Sequence, residues 1–129
     1  MTDREQVAGW IDAYERAWRT AGTTGLVDLF TADATYRQDP YETPFVGLPA
    51  VQEMWEAERD GPDEPFTMTY EIVAVDGDTA VARVDVHYGA PLSEEYADLW
   101  LIWLAPDGRC RRFEEWPFWP DRLTSGSQA

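Results

Sequence analysis

The chain has no lysine at all: each of its 10 basic residues is arginine, set against 25 acids, for a formal net charge of -15. The all-arginine habit has its simplest source in the coding bias of a G+C-rich genome. So acidic a field repels phosphate backbones and anionic lipid, which excludes nucleic-acid and membrane-surface roles. One cysteine, Cys110, allows no internal disulfide and no thiolate metal cluster. One histidine, His87, leaves zinc and histidine-triad chemistry without enough ligands or bases. The N-terminal MTDREQVAGW has neither a basic start nor an apolar stretch, so no signal peptide is expected. Nowhere does an apolar run approach the ~18 residues that span a bilayer. These absences predict a cytoplasmic protein with no metal and no cofactor.

What is present is apolar and aromatic. At 129 residues, 44% of them hydrophobic and seven of them tryptophan, the chain can bury a core of its own and is read as one domain, 1–129, with a frayed polar tail at 124–129. Thr2-Asp3 is a helix cap, and Val7, Trp10, Ile11, Tyr14, Ala17 and Trp18 fall on one helical face, predicting a helix to about Ala21. Gly22 closes it, and Thr24 caps a short helix from Gly25 to Phe30. A short strand, Ala34 to Gln38, leads into a loop with Asp39, Pro40, Pro44 and Gly47. A third helix starts at Pro49 and runs to about Glu58, where GPDEP (61–65) breaks it.

Beyond that point the pattern alternates with period two. Phe66, Met68, Tyr70 and Ile72 share one face of a strand, and Asp76-Gly77-Asp78 turns the chain into Thr79 to Tyr88. A looser connection over 89–93 precedes Glu95 to Leu104, and Pro106-Asp107-Gly108 leads to Arg109 through Phe118. Helices followed by antiparallel strands make an α+β fold. In the strand from Tyr96, the set Tyr96, Asp98, Trp100 and Ile102 points one way and Ala97, Leu99, Leu101 and Trp103 the other. A strand apolar on both faces is covered on both, and a second copy of the chain in a homodimer is the expected cover of one of them.

The order helix, short strand, loop with Asp39-Pro40, helix and long meander resembles the nuclear-transport-factor-2-like superfamily, nearest its SnoaL-like and ketosteroid-isomerase-like branch, over roughly Val7 to Pro120. The resemblance implies three N-terminal helices packed into a curved sheet, with a pocket at its open end. That scaffold hosts isomerases, cyclases, hydrolases, dehydratases and silent binding domains alike, so it implies fold more than function.

Relative to the isomerase pattern, Tyr14, Phe30, Ala34-Thr35, Gly47 and Trp55 keep their spacing. The resemblance makes Tyr14 a hydrogen-bond donor to a developing oxyanion; the plainer reading is a core tyrosine whose hydroxyl finds a partner. The family's base precedes a proline, as Asp39 does here, yet ungapped counting lands on Gln38, and strand alternation lets only one of the two face inward. As a turn residue ahead of proline, Asp39 has a plain role as well. The family's second oxyanion donor falls on Trp100, and its helix-three tyrosine on Trp55. These departures argue against ketosteroid isomerase activity proper.

In their place stands an acid pair, Asp98 and Glu115, on neighbouring strands and at the same inward parity as Phe113 and Pro117. Carboxylates among Trp18, Trp55 and Trp100 would be desolvated and suited to acid–base work. SnoaL-like cyclases use an aspartate that falls near Pro117, and the Arg-x-Asp of epoxide-hydrolase relatives is replaced by Tyr96-x-Asp98. An ion pair of Glu115 with Arg37 or Arg111 is the structural alternative. Tyr36, Gln38, Val84, Val86 and Tyr88 join the aromatics as expected ligand contacts, while His87 shares the outward face with Arg83 and Asp85.

Two functions follow. One is cofactor-free acid–base catalysis (isomerase, cyclase or dehydratase) on a small hydrophobic or polyketide-like molecule, with Tyr14, Asp98, Glu115 and Asp39 as the candidate catalytic residues. The other is a non-catalytic ligand-binding or accessory dimerisation domain.

Overall fold

A computed structural model describes residues 2–58, 65–89 and 94–120. All but Pro65 of the expected breaker at 61–65, all but Gly89 of the connection at 89–93, and the tail at 124–129 lie outside them. Helix α1, Arg4–Trp18, is capped by Asp3, whose side chain accepts the Gln6 N–H at 2.9 Å. Its buried face is the predicted one: Val7, Trp10, Ile11 and Tyr14. It ends three residues earlier than expected, because Arg19 takes the C-cap and donates its backbone N–H to Ala17 and Glu15. Helix α2 is only Leu26–Leu29, with Gly25 at its N-cap and no side-chain hydrogen bond there, so Thr24 is not the cap that the sequence suggested.

Phe30 belongs to a strand rather than to a helix end. Strand β1 runs Phe30–Arg37, four residues longer at its start than expected, because pairing of Phe30 with Cys110 supplies the extended backbone with a partner. Gln38 lies just outside it. The short strand β2, Phe45–Val46, was not anticipated. Gly47 then turns the chain from β2 into helix α3, Leu48–Glu58, at φ +90, a conformation that only glycine adopts without strain. Its N–H donates to Ala34 O at 2.8 Å and its carbonyl accepts from Val51 at 3.1 Å, so this one residue ties strand to helix.

Strands β3 (Phe66–Asp76), β4 (Thr79–Tyr88), β5 (Glu94–Leu104) and β6 (Cys110–Phe118) complete a six-stranded sheet of order β2-β1-β6-β5-β4-β3. From β3 to β6 each strand is antiparallel to the next, but β1 runs parallel to β6, so the sheet is mixed. A register shift between Ile72 and Ala74 marks a bulge in β3.

Helix α1 lies on the inner face of this sheet. Arg4 donates to Ile72 O at 2.7 Å, Tyr70 to Asp12 at 3.1 Å and Arg19 to Phe66 O at 2.8 Å, so polar contacts hold α1 along β3 over its whole length. Between them the core is aromatic. Trp10 and Tyr14 pack on Trp100 and Phe113 with ring centroids 4.6–6.4 Å apart, and the Trp10 indole donates to Leu29 O at 3.0 Å. Each such side chain contributes about 1.5–3 kcal/mol by burial. Alternation on β5 and β6 then decides which polar groups are carried inside with them.

Candidate functional site

Where α1, α3 and the far ends of β4 to β6 diverge, the sheet and helices enclose a cavity of about 740 Å³. That is within the range of small-molecule sites. On its floor are Asp98 and Glu115. Register pairs Trp100 with Glu115 and Asp98 with Pro117, so the two acids are diagonal neighbours on one face of β5 and β6.

Asp98 is 4% exposed. Its Oδ2 accepts the Trp100 indole N–H at 3.0 Å, while Oδ1 meets no donor among the described residues. Burial pushes its carboxyl up to about 6 against the weaker pull of that indole. Glu115 is half-buried, and the surface that it keeps belongs to the cavity. Burial, and then the Asp98 charge, push it up to about 8; hydrogen bonds from Tyr36 and Gln38 act the other way. Both carboxyls are thereby held toward their protonated forms, Glu115 more than Asp98. The alternative arginine pairing of Glu115 does not occur. Arg37 donates to Pro40 O at 3.3 Å, and Arg111 pairs with Asp78 at 3.2 Å.

Behind Glu115 runs a chain of phenols. Tyr36 donates to Glu115 Oε1 at 2.9 Å, which leaves the Tyr36 oxygen to accept from Tyr14 at 2.8 Å. Tyr14 does line the cavity, but its hydroxyl is spent on Tyr36 instead of being aimed at a ligand. Burial, and then the Glu115 charge, hold both phenols well above their ordinary range, so they stay protonated.

Gln38 and Asp39 both reach the cavity wall, against the expectation that only one could. β1 ends at Arg37, and alternation does not govern the bend that follows. Gln38 donates to Glu58 at 2.7 Å, and Asp39 accepts the Tyr41 N–H at 2.7 Å as a turn residue. Trp18, Val86, Tyr88 and Trp100 line the cavity as expected. Four expected ligand contacts do not: Tyr36, Trp55, Val84 and Phe113 are fully buried beneath the floor, where they pack the core. Trp55 is wedged between Tyr14 and Trp18 with centroids at 5.0 and 4.8 Å. His87 is on the outer face, paired with Glu95 at 3.1 Å.

Several lining residues escaped the sequence reading. Tyr96, placed on the inward set with Asp98 but not named as a ligand contact, meets Trp119 at 4.6 Å, and Trp119 lies just past the end of β6, two residues beyond Pro117. Burial, and then Tyr88, raise the Tyr96 phenol, and the two hydroxyls are hydrogen-bonded. Phe66 and Met68 come from the predicted inner face of β3. Glu42 and Glu58 stand at the rim, where loop and helix end meet and no periodicity applies. Among the described residues no group of acids, cysteine and histidine is arranged to hold a metal ion. No helix of the described residues is long and apolar enough to cross a membrane.

Comparison with known proteins agrees with this architecture. The SnoaL-like domain model matches residues 11–116. Among solved structures, the epoxide hydrolase/cyclase-like enzyme SalBIII, described for pyran ring formation in the polyether salinomycin, superposes with a TM-score of 0.72 at 16% identity, covering 92% of this chain and 95% of that one. A steroid delta-isomerase from Pseudomonas aeruginosa gives 0.65 at 21% identity, with 96% of each chain covered. A ketosteroid isomerase-like protein from Erwinia carotovora atroseptica gives 0.60 at 19%, covering 92% of this chain and 100% of that one. At such identities the likeness is one of fold. No curated protein matches the sequence. The family model, spanning most of the chain and both carboxylate strands, settles the affiliation: this chain belongs to the SnoaL-like domain family, within the nuclear-transport-factor-2-like superfamily.

Proposed function

We propose that the chain is a cytoplasmic, cofactor-free acid–base catalyst of isomerase, cyclase or dehydratase type, acting on a small hydrophobic molecule held in the cavity. One observation carries this reading: two inward carboxylates, neither paired with an arginine among the described residues, sit together on an aromatic floor. Asp98, the acid pushed up less of the two, takes the proton from carbon or hydroxyl. Glu115, protonated, gives its proton to the oxygen or carbon on which charge develops. One proton is taken and one returned, so no electron acceptor is needed. The hydroxyls of Tyr36 and Tyr14 orient Glu115 and are not aimed at the substrate. The same division of labour suits acid-assisted opening of an epoxide and the shift of a double bond; one fold neighbour is called epoxide hydrolase/cyclase-like and another a steroid delta-isomerase.

The test needs no knowledge of the natural substrate. 2-Tetralone is a flat ketone with acidic C–H bonds, and deuterium uptake in D₂O is read by NMR. The protein should accelerate exchange above buffer, and Asp98→Asn should lower that acceleration by about 10²-fold or more. Exchange no faster than buffer would sink the catalytic reading.

A ligand-binding domain without chemistry is the second reading. It is favoured by the Tyr14 hydroxyl, whose engagement with Tyr36 removes the expected oxyanion donor. Binding without exchange is its signature. Either way we propose a homodimer formed through the outer face of the sheet, where Leu99, Leu101, Trp103 and Trp116 lie half-buried beside one another.

A further inference from the structure

The described lining of the cavity is electrostatically one-sided. It includes five acids, Asp39, Glu42, Glu58, Asp98 and Glu115, and neither arginine nor histidine. The rim acids lie close enough to act on one another: Glu42 is pushed up by burial and then by the charges of Asp39 and Glu58.

Acids alone would indicate only a solvated mouth. The second observation is Asp98, on the inward face, 4% exposed, with an oxygen that no described donor reaches. A buried acceptor without a partner is destabilising, and an incoming positive group relieves it. The third is the wall itself. Trp18, Phe66, Tyr88, Tyr96, Trp100 and Trp119 surround the same space, and ring faces attract cations. Phe66 already does so: the Arg19 guanidinium lies 3.8 Å from its centroid, itself neutralised by Glu15 at 2.9 Å. Among the described residues no group of acids is arranged to hold a metal ion, and the aromatic wall suits a cation carried on an organic frame.

We propose that the ligand of this cavity is an organic cation, a flat or bulky hydrocarbon frame carrying a protonated or quaternary ammonium group. The ammonium lies between the carboxylates and the aromatic faces, and the frame fills the remaining space. Anionic substrates, including phosphate esters and free carboxylic acids, are repelled. This rests on the cavity being the functional site proposed above, and it names the substrate class of that site.

The experiment is calorimetry with three probes: (2-naphthylmethyl)trimethylammonium, its neutral isostere 2-neopentylnaphthalene, and 2-naphthylacetate. The ammonium should bind about ten-fold tighter than the isostere, with the acetate weakest. That advantage should shrink between about 0.05 M and about 0.5 M salt. Glu42→Gln and Glu58→Gln should each weaken the ammonium several-fold and leave the isostere unchanged. Equal binding of ammonium and isostere, or variants that weaken both alike, would overturn the charge preference. 2-Tetralone exchange, a neutral probe, reads catalysis separately. Exchange without any preference for the ammonium removes this inference and leaves the proposed function standing; preference without exchange does the reverse.

Discussion

Glu114 and Glu115 leave β6 on opposite faces of one sheet. Glu114, on the outer face, is 5% exposed, held by the Arg112 guanidinium at 2.8 Å and the Trp116 indole at 3.1 Å. The same guanidinium also lies over the Trp103 ring, 4.3 Å from its centroid. Glu115, on the inner face, has a phenol and an amide for company, and Asp98 as a second acid. Loss of water is common to both residues; the charge of the partner is what differs. Beside a guanidinium, a buried glutamate becomes part of the scaffold. Beside neutral donors and another acid it becomes a group that holds a proton near pH 7.

The outer face breaks most completely at Trp103. Trp103→Glu places a charge in the proposed interface, and the mass by light scattering should fall to that of a monomer; an unchanged dimer would remove the interface. On the inner face, Asp98 and Glu115 both titrate above their unfolded values, so the folded chain binds more protons than the unfolded one. Their contribution to stability is complete below about pH 4 and is lost as pH rises through about 6 and then about 8. Glu115→Gln should therefore raise stability at about pH 8.5, on the order of a few kcal/mol, and flatten the dependence in urea titrations. A flat wild-type profile from about pH 5 to 8.5 would refute the desolvated pair.

Glu114→Ala should lower stability by about 1–3 kcal/mol, since Arg112 and Trp116 lose their acceptor, while the slope set by Asp98 and Glu115 persists. Smallest is Tyr36→Phe, about 1 kcal/mol. Because the Tyr36 hydrogen bond favours ionised Glu115, its loss should move the Glu115 midpoint further up in a carboxyl NMR titration. A midpoint that stays put would mean that the phenol chain does not tune the acid.

Period-two alternation makes the inner face legible in the order of residues alone. Asp98, Trp100, Glu115, Val86 and Tyr88 line the cavity because residues on one parity share a face, and helical spacing does the same for Tyr14 and Trp18. Parity says which way a side chain points but not how deep it lies, so Val84 and Phe113, correct in direction, sit under the floor. It also stops where strands stop. Gln38 and Asp39 follow the end of β1, and Glu42 and Glu58 are brought to the rim by a loop and a helix terminus. Local propensity misjudges Phe30 as well, since its strand conformation comes from Cys110, eighty residues away in the chain.

That pairing partner has a use of its own. Cys110 is the only thiol, fully buried, with Sγ 2.9 Å from Arg112 O, and burial pushes it up to about 12. It sits where β6 meets both Phe30 of β1 and Leu104 of β5. A thiol reagent can modify it only after that seam has parted, so the rate of labelling in the native protein counts the openings of the β1–β6 junction. The molecule thus carries an internal clock for its own unzipping, silent while the seam is shut.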